Sequence, residues 1–216
     1  MYKAVLFDFD GIILQSAGTH ARIWKEILLN EFDLEIDARD IYLDEGRPTT
    51  DIALSIFKKY NLEISHEEAH RIAEKKQAAY FNAKTPDFYP EAPGVVEYLK
   101  EKGILTAVVT GTRRANIDRV LTPHIKGLFN DFITAERYTN GKPHPEPFLN
   151  GAKHLGVDPQ ESIVVENAPL GVRAAKAAGA HVIAVCTTLS AEDLHEADEI
   201  LPDFHALQVR FRELFD

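Results

Sequence analysis

Two aspartates spaced by one residue close the first apolar run of the chain. AVLF (4–7) leads into Asp8-Phe9-Asp10-Gly11. Four consecutive apolar residues read as a strand buried on both faces, as in parallel sheets. Open α/β sheets bind ligands at the carboxyl ends of their strands, so both acids stand where a ligand would stand. Neighbouring acids in unlike environments can divide proton-donating and proton-accepting work. The competing local reading is a hairpin turn at Asp10-Gly11, with Ile12, Ile13 and Leu14 as the return strand.

Three later segments place polar residues in comparable positions. ILTAVVT (104–110) runs into Gly111-Thr112. A Thr110 hydroxyl and exposed backbone N–H groups ahead of a helix suit a phosphate. Thr112 alone would be an ordinary helix cap. GKPHPEPF (141–148) sets Lys142 on a loop stiffened by three prolines, so its charge can be held at one spot. The commoner fate of a lysine is a solvated surface. SIVVE (162–166) ends in Glu166-Asn167, where Asn167 could instead cap the next helix. Each ordinary reading is respectable alone. Their joint occurrence at corresponding strand ends is harder to dismiss.

The elements around these residues fall into two kinds. Residues 17–83 carry the helical period: Ile23, Ile27, Leu28 and Phe32 share one face, and Ser65 with Glu67 and Glu68 starts a later helix. From residue 91, helices near 93–102, 113–121, 145–155 and 204–214 alternate with strands at 104–110, 131–135, 162–166, the run HVIAVC and EIL (199–201). Such alternation predicts a doubly wound parallel α/β sheet. The expected division is a core of 1–15 and 85–216 and a helical cap of 16–84. Trp24 is expected in the cap core.

Composition narrows the class. The chain has 216 residues, with 45% hydrophobic and 27% charged, ordinary for a globular protein. Its net charge of −10 argues against nucleic acid as a partner. No apolar run is long enough for a membrane span. The single cysteine, Cys186, excludes an internal disulfide and is expected in the core. The early first strand leaves little room for a signal peptide, and the expected location is cytoplasmic. An acidic protein with an anionic substrate needs local cations or a metal.

DxDG at Asp8–Gly11, TGT at Thr110–Thr112, GKPxPxxF at Gly141–Phe148 and VVEN at Val164–Asn167 follow one another in this order. With GVRAAKAAG behind them, they resemble the haloacid dehalogenase superfamily over essentially the whole chain. The likeness is to its helical-cap branch, which includes β-phosphoglucomutases and phosphoglycolate phosphatases. The resemblance implies a Rossmann-like core and a phosphatase acting on a small phosphorylated metabolite through an aspartyl phosphate. Asp8 is then the nucleophile, Asp10 the general acid and base, and Lys142 a catalytic cation. Thr110, Gly111 and Lys142 bind phosphate. Mg²⁺ is held by Asp8, Asp10, Glu166 and Asn167. His20, Arg47 and Lys76 of the cap face the substrate. Two departures stand out. Asn167 replaces an acid of the family pattern, which implies weaker Mg²⁺ binding with Glu166 carrying more of it. Gln15 replaces another. A sugar-phosphate mutase is the first alternative, although Thr49 stands where the mutases carry a phosphate-gripping arginine. A non-catalytic phosphate-binding protein is the second. The expected assembly is a monomer or a weak homodimer.

Overall fold

The computed structural model describes residues 1–216. Six strands form one parallel sheet: β1 (Ala4–Phe7), β2 (Leu105–Val109), β3 (Asp131–Ile133), β4 (Ser162–Glu166), β5 (His181–Val185) and β6 (Glu199–Leu201). Their spatial order is β3-β2-β1-β4-β5-β6. The chain builds outward from β1 to β3, then returns to lay β4 on the other side of β1. That reversal opens a crevice at the carboxyl ends of β1 and β4, where open sheets take their ligands.

Register sets the level of the site. Phe7 pairs with Val108 of β2 and with Val165 of β4. Asp8 and Glu166 therefore emerge side by side, with Thr110 one residue beyond their level on β2. The alternative hairpin at Asp10-Gly11 does not form. Gly11 N–H donates to the Leu14 carbonyl in a tight turn, and Ile12, Ile13 and Leu14 turn into the core.

Alternate strand residues face opposite layers. Val5, Phe7, Val108, Ile163 and Val165 pack against the layer of α5 (Ala92–Glu101), α6 (Arg114–Val120) and α10 (Phe204–Phe215). Leu6, Ala107, Val109 and Val164 face α8 (Glu146–Leu155) and α9 (Pro169–Ala178). The near-continuous apolar strands follow from this double coverage. A short helix, α7 (Pro123–Lys126), lies outside the expected elements. Cys186 directly follows β5 and is half-buried, not in the core as expected, because the strand ends one residue before it.

Between β1 and β2 the chain inserts α1 (Ala17–Phe32), α2 (Ala38–Leu43), α3 (Thr49–Lys59) and α4 (His66–Asn82). These helices have their own apolar centre, with Trp24, Leu28, Ile56 and Ile72 fully enclosed. The Ser65 side chain accepts the Glu68 N–H and starts α4. No helix is long and apolar enough to cross a membrane.

Candidate active site

β1 leads into Asp8, whose backbone N–H still donates to the Val165 carbonyl, 3.0 Å. The ladder thus fixes Asp8 before its side chain enters the crevice. Lys142 reaches the same point from the loop ahead of α8. Its ammonium lies 2.5 Å from Asp8 Oδ1 and 2.6 Å from Glu166 Oε1. All three side chains are almost wholly buried. Burial pulls the Lys142 ammonium down, but the charges of Asp8 and Glu166 override it and hold the ammonium above its ordinary range. Burial pushes the Asp8 carboxyl up, Lys142 pulls it back, and Glu166 and Asp10 add repulsion. Asp8 Oδ1 is taken by Lys142, and the residue opens onto a cavity of about 470 Å³ between core and cap.

Glu166 is anchored on its other side by the start of α9. Its Oε2 accepts the N–H groups of Asn167 and Ala168. Asn167 does not cap the helix; the capping position is Ala168. The Asn167 amide nitrogen donates to Glu45 Oε2 at 3.2 Å and to Thr188 Oγ1 at 3.1 Å. Its carbonyl oxygen, Oδ1, is buried without a partner.

Asp10 has different company. Ser16 Oγ donates to its Oδ1 at 2.5 Å and Thr112 Oγ1 to its Oδ2 at 2.7 Å. His20 Nε2 lies 3.4 Å from Oδ1. Burial would raise this carboxyl, but the bonds from His20, Ser16 and Thr112 outweigh it and hold it well below the usual range. The two aspartates are thereby differentiated: Asp8 answers to a buried ammonium, Asp10 to two hydroxyls and an imidazole.

Thr110 is buried, and its Oγ1 accepts the Thr112 N–H. Thr110, Gly111 and Thr112 all line the cavity. From the cap, the Lys76 ammonium donates to His20 Nδ1 at 2.7 Å, and the Tyr80 ring stacks on the imidazole at 4.1 Å between centroids. Burial, then the Lys76 charge, holds His20 below its ordinary value, and burial draws Lys76 down to about 8. His20 and Lys76 are thus gathered with Asp10. Arg47 also lines the cavity, but its Nε is engaged by Asp44 Oδ1 at 2.7 Å. Of the sequence-predicted residues, it alone is turned to a neighbour on its own loop.

Four contributors were missed by sequence reasoning. Thr112 reads as an ordinary cap and Ser16 carries no local signal, and only the fold brings their hydroxyls to Asp10. Glu45 stands in an acidic run, and no local pattern points it at the core. Gly171 looked like a generic helix residue, yet it makes room for Glu166.

The model of the haloacid dehalogenase-like hydrolases matches residues 5–185. The chain belongs to that family. Hexitol phosphatase A of Escherichia coli is 29% identical over 96% of this chain and 94% of its own length. Fructose-1-phosphate phosphatase YqaB of the same organism is 30% identical over 85% of this chain and 96% of its own. The crystal structure of β-phosphoglucomutase from Clostridium difficile superposes with a TM-score of 0.79 at 25% identity, covering 99% of both chains. Fold and family expectations from the four motifs therefore stand.

Proposed function

We propose that this member of the family is a Mg²⁺-dependent phosphatase that cleaves a small phosphorylated metabolite through an aspartyl phosphate on Asp8. The observation that supports it most is the placement of Asp8, held by Lys142 through Oδ1 and facing the cavity beside Thr110 and Gly111.

The residues fit a divalent cation. Asn167 Oδ1 is a buried oxygen with no partner, and the Asp10 carbonyl accepts none of the loop's backbone hydrogen bonds. With the Asp8 carboxylate these are hard oxygen donors, the kind Mg²⁺ takes. Glu166 is largely engaged by Lys142 and the helix start, so it acts there mainly through its charge. When bound, Mg²⁺ supplies charge that offsets the phosphate and the surrounding carboxylates.

The chain's own residues do the rest. Thr110, the Gly111 N–H and Lys142 hold the phosphoryl oxygens, so binding aligns phosphorus with Asp8. Asp8 attacks phosphorus, and the bond to the leaving oxygen breaks. That oxygen takes a proton from Asp10, whose proton affinity rises as the phosphate's negative charge arrives. Water then attacks the aspartyl phosphate and gives its proton back to Asp10. The Asp8 carboxylate departs, and phosphate is free. The closed cap keeps bulk water out between these steps.

Phosphate release from hexitol phosphates, fructose 1-phosphate or p-nitrophenyl phosphate with Mg²⁺ is the test. Turnover by the parent and its loss in Asp8→Asn are expected. No turnover with any divalent cation would favour a non-catalytic phosphate-binding protein. One observation favours a sugar-phosphate mutase as second reading: the cap reaches Asp10 through His20 and Lys76. Conversion of β-glucose 1-phosphate to glucose 6-phosphate without free phosphate would decide for it.

A further inference from the structure

Asn167 leaves the cation site one negative charge short of the family pattern, and the cap brings a carboxylate to that residue. Glu45 lies on the loop between α2 and α3 and lines the cavity with Asp8 and Asp10. Its Oε2 accepts from Asn167 Nδ2 at 3.2 Å. That contact and the one to Thr188 turn the amide nitrogen away, and leave Asn167 Oδ1 buried with no partner. Next to Glu45, Gly46 sits at φ +98°, and a Cβ there would lie 3.2 Å from Lys142 Cβ. The loop is therefore seated directly on the catalytic lysine when the cap is closed.

Charge makes this seating unusual. Glu45 lines the cavity with Asp8 and Asp10, and Glu166 lies buried behind them on Lys142, yet the only carboxylates that Lys142 bonds are Asp8 and Glu166. Lys76 is engaged by His20. A fourth carboxyl held against three others, with no cation of its own, stays ionised only if a positive charge stands among them.

We propose that Glu45 completes the cation site from the cap: its carboxylate supplies the charge that Asn167 lacks, so that cation binding and cap closure become one event. The proposal rests on the reading that a divalent cation works beside Asp8. The bound cation favours the closed cap because only the closed cap presents Glu45, and closure strengthens cation binding to the same degree. Metal affinity is then a property of two parts of the fold.

Calorimetric titration of the full chain with Mg²⁺ tests this without reference to turnover. Glu45→Gln keeps an acceptor for Asn167 and removes only the charge. It should weaken Mg²⁺ about tenfold or more, the scale typical of residues that support a metal site. Asn167→Asp in the Glu45→Gln background should restore most of that loss by returning the charge from the core. Hydrogen exchange at residues 44–48 should slow on adding Mg²⁺ to the parent and not to Glu45→Gln. Parent-like affinity in Glu45→Gln, or exchange at 44–48 indifferent to Mg²⁺ in the parent, overturns the proposal and leaves the phosphatase reading intact. A parent that binds no Mg²⁺ overturns both, and metal-free hydrolysis would then show what survives of the chemistry.

Discussion

A Cβ placed on Gly171 would stand 1.7 Å from Glu166 Oε1. The glycine on α9 is the space into which the Glu166 carboxylate folds back to meet Lys142. Helix propensity alone would favour alanine at this position by about 1 kcal/mol. The sequence forgoes that gain for the carboxylate.

Gly171→Ala should therefore push Glu166 aside and loosen Lys142 while the helix stays formed. Misplacing a catalytic group by about 1 Å costs roughly 100-fold in rate. We expect kcat/KM on the best phosphate ester to fall on that order, with an unchanged helical circular dichroism spectrum. Activity equal to the parent would mean that Glu166 does not need its present position.

Lys142→Met would leave Asp8 and Glu166 facing each other without their shared cation. Losing one partner of a buried ionic group costs about 3–5 kcal/mol. Urea unfolding of the variant at neutral pH should show a deficit of that size alongside lost activity. A variant as stable as its parent would show that the two carboxylates are not ionised around the lysine.

Lys76 makes the pH prediction. It is 8% exposed, and burial draws its ammonium down to about 8 against the pull of Asp10 and Glu45. The unfolded chain, with an ordinary lysine near 10.4, binds more protons between those values. Stability from this group therefore rises as pH climbs from about 8 to about 10.5, and below about 8 the buried charge is a cost. Lys76→Met removes the group. Relative to the parent, the variant should lose roughly 3 kcal/mol of its standing between pH 7 and 10.5, followed by denaturant unfolding at both pH values. Parallel stability at the two pH values would place Lys76 in water.

What could be read from the sequence was whatever one segment carries by itself. Four apolar residues ahead of Asp8 signal a buried strand, and the alternation after residue 91 signals the parallel sheet that the structure has. Asp8, Thr110, Lys142 and Glu166 follow because strand ends in such a sheet converge. The rest depends on contacts between distant segments. Ser16 and Thr112 become donors to Asp10 only when the loops after β1 and β2 meet. Lys76 sits in the charged run AEKK, where only the family resemblance, and no local pattern, points it to the cavity; α4 turns it inward against His20 and Tyr80. Glu45 meets Asn167 across 122 residues of chain, and no periodicity encodes that. Arg47 was legible as a cavity residue but not as the partner of Asp44.

The central claim is a covalent one, so the most direct measurement looks for the bond. The parent enzyme, mixed with Mg²⁺ and its best phosphate ester, is quenched in acid within milliseconds and mapped by mass spectrometry. The account predicts a phosphoryl group on the peptide containing Asp8, appearing and decaying with turnover and missing from Asp8→Asn. An enzyme that turns over at full rate with Asp8 unmodified at every time, or an Asp8→Asn variant that still hydrolyses the ester, would contradict it.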